Sequence, residues 1–120
     1  MCRYRIFKVS QPKHYRPNPE RVIERAAGML SAAGDPARLR ILELLLTGEH
    51  QVSEIAEKTD AEMSTTSQRL RVLLQENLVA RRREGRVMHY KLADSHVQTL
   101  VQNVLDHADP NQPMHHEHKE

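Results

Sequence analysis

Apolar residues along this chain fall into blocks with two different spacings, and those spacings predict its elements. From Pro19 to Ala33, the residues Val22, Ile23, Ala26, Ala27 and Leu30 recur at three- and four-residue steps, the spacing of one helical face. Gly34 ends that helix. Asp35 is a good N-cap and Pro36 suits the first helical position, so a second helix starts there, carries Leu39, Ile41, Leu42, Leu44, Leu45 and Leu46, and stops at Gly48. Val52, Ile55 and Ala56 mark a short third helix, Thr59, Asp60 and Ala61 a turn, and a fourth helix runs from about Ser64 to Gln75 with Leu70, Leu73 and Leu74 inward. Two helices joined by so short a turn predict a helix-turn-helix. The pattern then alternates. Val79, Arg81 and Arg83, followed by Val87, His89 and Lys91 with Met88, Tyr90 and Leu92 between them, predict two strands joined around Glu84, Gly85 and Arg86, a β-hairpin wing. Asp94 or Ser95 caps a last helix with an apolar stripe of Val97, Leu100, Val101, Val104, Leu105 and Ala108, ended by Pro110.

These elements place one domain at 19–109, preceded by a basic arm at 1–18 and followed by a polar, His-rich tail at 110–120. The expected fold is mainly α with a small β-hairpin: a winged helix-turn-helix. Composition fits a helical core, since the 120 residues include one Phe, three Tyr and no Trp, leaving Leu, Val, Ile, Ala and Met to fill the interior. No apolar run reaches the roughly 20 residues of a membrane helix, so no membrane partner and a cytoplasmic location are expected. A single cysteine, Cys2, excludes a disulfide framework. No nucleophile–base pair and no glycine-rich phosphate loop stand out among the motifs, so the chain does not read as an enzyme.

The formal charge of +2 conceals a strong alternation. Residues 1–25 hold seven Lys/Arg against two acids, 26–68 three against seven, 69–91 seven against two, and 92–120 one against five. Two basic blocks on an otherwise acidic body suggest a face that neutralises phosphates. The fourth helix would enter a major groove, which admits an α-helix. Its first turns, Ser64, Thr65, Thr66, Ser67, Gln68 and Arg69, carry short hydroxyls and an amide that approach base edges closely. Arg69 could grip guanine or a phosphate, and Arg71 is a further phosphate candidate. Arg81, Arg82, Arg83 and Arg86 of the wing would present charge to the DNA backbone. The bland reading of the same residues is a capping segment and a solvated strand face.

Four segments together resemble the ArsR/SmtB family of metal-responsive transcriptional repressors: residues 35–45 (Asp-Pro-Ala-Arg-Leu-Arg-Ile-Leu-Glu-Leu-Leu), 52–56 (Val-Ser-Glu-Ile-Ala), 67–73 (Ser-Gln-Arg-Leu-Arg-Val-Leu) and 85–92 (Gly-Arg-Val-Met-His-Tyr-Lys-Leu). The resemblance runs from about residue 21 to 108. It implies a homodimer, paired through the terminal helices, that reads a dyad of double-stranded operator DNA. Arg69 departs from the pattern, since many members have His there. Members that sense arsenic or cadmium use a Cys-x-Cys whose slots fall on Gln51 and Ser53, so soft-metal sensing is not implied.

Five of the eight histidines lie in the last 25 residues: His96, His107, His115, His116 and His118. His96 and His107 are eleven residues apart, three helical turns plus about 20°, so they share a face yet stand ~16 Å apart along the axis. One chain cannot bring both to one ion. Two such helices packed antiparallel would set Asp94 and His96 of one subunit against His107 of the other. The resemblance implies the same set, because zinc- and cobalt-sensing members carry Asp-x-His at the start of the last helix and a His eleven residues on. Their fourth ligand falls on Pro110, which leaves Asp109, His115, His116, His118, Glu117 or water. Nitrogen and oxygen donors suit zinc first, then cobalt or nickel. The expected function is therefore repression by the metal-free dimer and release of operator when metal binds. Two alternatives stand beside it: a winged-helix repressor answering a non-metal signal, and a metal-buffering protein.

Overall fold

A computed structural model describes residues 14–111, and among these five helices and three strands alternate in the order α1 (Glu20–Ala33), α2 (Pro36–Leu45), β1 (His50–Gln51), α3 (Val52–Lys58), α4 (Met63–Gln75), β2 (Val79–Glu84), β3 (Val87–Leu92) and α5 (Ser95–Ala108). The arrangement is a winged helix-turn-helix, mainly helical, with a small antiparallel sheet of strand order β1-β3-β2. The arm at 1–13 and the tail from 112, with Cys2, His115, His116, Glu117 and His118, lie outside the described residues.

Local chemistry sets the boundaries. Asp35 caps α2, its Oδ2 accepting from the Arg38 N–H at 3.1 Å, with Pro36 in the first turn. Arg38 then donates through Nε to the Ala32 carbonyl at 2.8 Å, which fixes the corner between α1 and α2. Glu54, three residues into α3, accepts the Gln51 N–H at 2.9 Å and so satisfies a donor that the helix start leaves open. Asp94 caps α5, its Oδ1 accepting from Val97 N–H at 3.0 Å. The wing turns on two residues, Gly85 and Arg86, between the paired Glu84 and Val87; Gly85 has φ +65°, a conformation open to glycine at little cost.

One core joins these elements. Ile41, Leu42 and Leu45 of α2, Ile55 of α3, Leu70 and Leu73 of α4, Leu78, Val79, Tyr90 and Leu92 of the sheet region, and Val97 and Val101 of α5 are all buried together. The first half of α1 takes no part in it: residues 20–27 are all exposed.

Two features differ from the expectations above. The sheet has a third strand, His50–Gln51, pairing with Tyr90 and His89; two residues are too short to show an alternation. His50 is therefore a sheet residue, its Nε2 2.9 Å from Thr47 Oγ1. Helix α4 also begins one residue earlier, at Met63.

The core makes a direct prediction. Leu70→Ala, at a fully buried position, lowers unfolding free energy by about 2–5 kcal/mol. Thr66, also fully buried, has an Oγ1 without a hydrogen-bond partner among the described residues, so Thr66→Val is expected to stabilise by about 1 kcal/mol. Urea denaturation of both variants measures the contrast.

Candidate nucleic-acid interface and metal-ligand face

Helices α3 and α4, joined by residues 59–62, form the helix-turn-helix. Asp60, at φ +55°, turns the chain between them. Along α4 the exposed residues Ser64, Gln68, Arg71 and Gln75 follow helical steps of four, three and four, with Ser67 beside them, and so make one solvent stripe. The buried stripe is Thr66, Leu70 and Leu73.

This sorts the residues expected on the reading face. Ser64, Ser67, Gln68 and Arg71 are on it. Thr65 and Arg69 are half-buried, and Arg69 stands about 140° round the helix from Ser64, so Arg71 and not Arg69 is the central cation of the stripe. Thr66 is corrected outright: four residues before Leu70, it points into the core and cannot meet a base edge. Gln75 was missed by the sequence reading, although its four-residue step from Arg71 was visible.

The wing arginines also divide. Strand pairing places Arg81 opposite Tyr90 and Arg83 opposite Met88, on the side of the sheet that faces the helices, whereas Arg82 stands opposite His89 on the outer side. Met88 and Arg86 help line a cleft of about 330 Å³ with Ser53 of α3 and with Met63 and Ser67 of α4. Arg83 and Arg86 are thus on the same side as the α4 stripe. Arg82 is engaged elsewhere: its Nε and Nη2 donate to the two carboxylate oxygens of Glu49, each at 2.9 Å, and Nη1 to Glu84 at 3.3 Å. The expectation that Arg82 offers its charge to DNA is therefore at odds with this geometry. Glu49, in the loop before β1, is a residue that sequence spacing could not connect to Arg82, 33 positions away.

The candidate metal ligands occupy α5. Asp94 is fixed at its start by the cap, and His96, with its side chain 94% exposed, lies with Nδ1 3.9 Å from the Asp94 carboxylate. His107, also exposed, lies three turns on. Among the described residues no three His, Cys, Asp or Glu converge within one protomer, as the three-turn separation dictates. Between the two histidines the same side of α5 carries Leu100 and Val104, 37% and 46% exposed. These continue into a shallow apolar groove of about 190 Å³ lined by Leu30, Ala33, Leu39 and Val101; about two turns before Leu30 on α1, Val22 and Ile23 are also exposed.

Residues 35–81 match the family model described as bacterial regulatory protein, arsR family. Over 83 residues the chain is 39% identical to the HTH-type transcriptional regulator NmtR of Mycobacterium tuberculosis, an alignment covering 69% of each protein. This chain belongs to the ArsR family. A second relative of this ArsR-family chain, the transcriptional repressor SmtB homolog of Synechocystis sp., is 39% identical over 84 residues, and the alignment spans 70% of this chain and 64% of that protein, just under two thirds of its length. Among solved structures, the homodimeric winged helix-turn-helix DNA-binding domain Mb0332 of Mycobacterium bovis superposes with a TM-score of 0.68 at 31% identity, covering 88% of this chain and 94% of that one. NolR of Sinorhizobium fredii superposes with a TM-score of 0.67 at 32% identity, over 79% and 97%. No helix among the described residues is long and apolar enough to cross a membrane.

The Glu49–Arg82 pair has a pH signature. The Arg82 hydrogen bond, reinforced by its charge and by those of His89 and Lys91, holds the Glu49 carboxyl below its ordinary value of 4.5. A lowered carboxyl stabilises the fold above the unfolded-state value and loses that contribution as pH falls through the folded one. The pair is therefore intact at neutral pH and opens as pH falls through the Glu49 value, which lies below 4.5. Side-chain NMR titration is expected to show Glu49 ionising below 4.5 in the native protein, and at or near 4.5 in Arg82→Ala.

Proposed function

We propose that this ArsR-family protein is a transcriptional repressor that acts in the cytoplasm as a homodimer on double-stranded operator DNA and is regulated by a transition-metal ion. The observation that carries the reading is the composition of one side of α5: an exposed apolar stretch, Leu100 and Val104, bracketed at its two ends by His96 with Asp94 and by His107. An apolar surface continuous with Leu30 of α1, on a helix that also exposes Val22 and Ile23, asks for a covering partner. A second copy packed antiparallel along α5 covers it.

That packing sets Asp94 and His96 of one subunit beside His107 of the other, twice per dimer. The residues fit an ion of the zinc, cobalt or nickel type. Two imidazoles and a carboxylate are its preferred donors, His96 is almost fully exposed, and Asp94 uses Oδ1 for the helix cap while a carboxylate has a second oxygen to offer. Asp109 or a tail histidine, His115, His116 or His118, completes the set. A bound ion would supply a cross-link between the start of α5 in one subunit and its end in the other.

On DNA, Ser64, Ser67, Gln68 and Arg71 read or flank base edges from the major groove, with the half-buried Thr65 and Arg69 turned away from that face, and Arg81, Arg83 and Arg86 neutralise phosphates. The spacing of two α4 helices in a dimer depends on how the α1 and α5 faces pack. Whatever biases that packing changes the fit to two half-sites ~34–36 Å apart. Coupling of this kind is reciprocal: operator DNA weakens metal binding by the same factor by which metal weakens DNA binding. Because imidazoles ligate only when neutral, the metal response weakens in acid.

Fluorescence anisotropy with a duplex from the protein's own promoter, at fixed salt, tests the reading. Zinc, cobalt or nickel is expected to weaken binding by roughly 5- to 150-fold in the wild type, and His107→Ala is expected to bind the same duplex without responding. Equal release of both proteins by metal removes His107 from the site. No response of either to any of the three ions favours a repressor with a non-metal signal, and no duplex binding at all favours metal buffering.

A further inference from the structure

The wing has two sides with separate employments, and its outer side carries a chain of charges that crosses all three strands. Glu49, just before β1, binds Arg82 of β2 through two parallel 2.9 Å hydrogen bonds, the fork geometry in which an arginine–carboxylate pair is both strongest and most directional. Arg82 passes on to Glu84 at 3.3 Å, and Glu84 to His89 Nε2 of β3 at 3.2 Å. Arg82 and His89 are directly opposed in the β2–β3 ladder, and His89 is opposed by Gln51 in the β1–β3 ladder. The arginine thus reaches across the middle strand. Its anchor is a loop that follows α2, a core helix holding the fully buried Ile41 and Leu42. Beyond Ala80, every residue of β2 is exposed, so little apolar packing fixes the angle at which the wing leaves the body.

We propose that Glu49 and Arg82 form a strut that sets the angle of the wing, making both of them positioning residues for DNA binding, while phosphate contact falls to Arg81, Arg83 and Arg86. The proposal rests on the DNA-binding reading above, and deepens it by separating one wing arginine from the other three. Arg82 already has its charge matched and its fork occupied. To meet a phosphate it would have to give up Glu49 and leave that carboxylate facing polyanionic DNA.

The experiment has two arms. In the free protein, amide hydrogen exchange of residues 81–88 is expected to quicken by the same factor in Glu49→Ala and Arg82→Ala, with no further increase in the double variant. On duplex, the slope of log affinity against log salt reports phosphates neutralised, at about −0.9 for each. Arg83→Ala is expected to flatten that slope by about 0.9, whereas Arg82→Ala and Glu49→Ala weaken binding roughly 3- to 10-fold by tilting the wing with the slope unchanged.

A slope flattened by 0.9 in Arg82→Ala, or tighter binding in Glu49→Ala through a released arginine, overturns the strut. So does unchanged wing exchange in either single variant. Failure of the wild type to bind any duplex overturns the DNA-binding reading instead, and the strut itself is then decided by the exchange arm.

Discussion

The unburied apolar surface shared by α1 and α5 constrains everything else in this molecule. Val22, Ile23 and Leu30 on one helix and Leu100 and Val104 on the other are between about a third and somewhat over half exposed, although the spacing of all five is that of residues meant to be buried. A core built without tryptophan and almost without phenylalanine spans only the inner side of α5, through Val97 and Val101, and the last turns of α1, through Ala32. In the dimer proposed above, a second copy covers the outer sides, the candidate DNA-reading helix becomes a pair with a defined spacing, and the histidines at the two ends of the α5 surface, too far apart to cooperate within a chain, come together between chains.

The same constraint explains how, in the proposed function, a metal signal and a DNA output are separate yet coupled. What links α5 to α4 is the shared core: Val97 and Val101 pack with Leu70, Leu73, Ile41 and Leu42 in one cluster. On the proposed function, a change at the α5 pairing is then expressed as a change in the relative placement of two protomers, and the candidate metal ligands need touch neither DNA nor α4. On the other flank, the wing depends on charge where apolar packing runs out, and Glu49 supplies the anchor.

Much of the fold was legible in the sequence because its boundaries are written in local chemistry. Asp35 with Pro36, Asp94, and the Gly85-Arg86 loop each impose a start or a turn through contacts within three residues, and the leucine spacings give the helices between them. Strand β1 was invisible, since His50 and Gln51 are held by Tyr90 and His89, some forty residues away, and not by any pattern of their own. The site was legible in type but not residue by residue. A run of Ser, Thr and Gln at a helix start does announce a polar reading surface, yet a helix buries one side of any such run; counting back four from Leu70 assigns Thr66 to the core. Four arginines within six positions of a hairpin look equivalent as text. Alternation separates Arg82 from Arg81 and Arg83, and the Glu49 partnership, being wholly tertiary, appears only once the strands are paired.

The central claim is that the α1 and α5 surfaces pair two copies, and sedimentation equilibrium at micromolar concentration tests it most directly. The account predicts a wild-type mass of about twice 13.9 kDa, and a Val104→Glu variant that sediments at the monomer mass while keeping the circular dichroism of the folded protein. A monomeric wild type, or a Val104→Glu protein that remains a folded dimer, would contradict it.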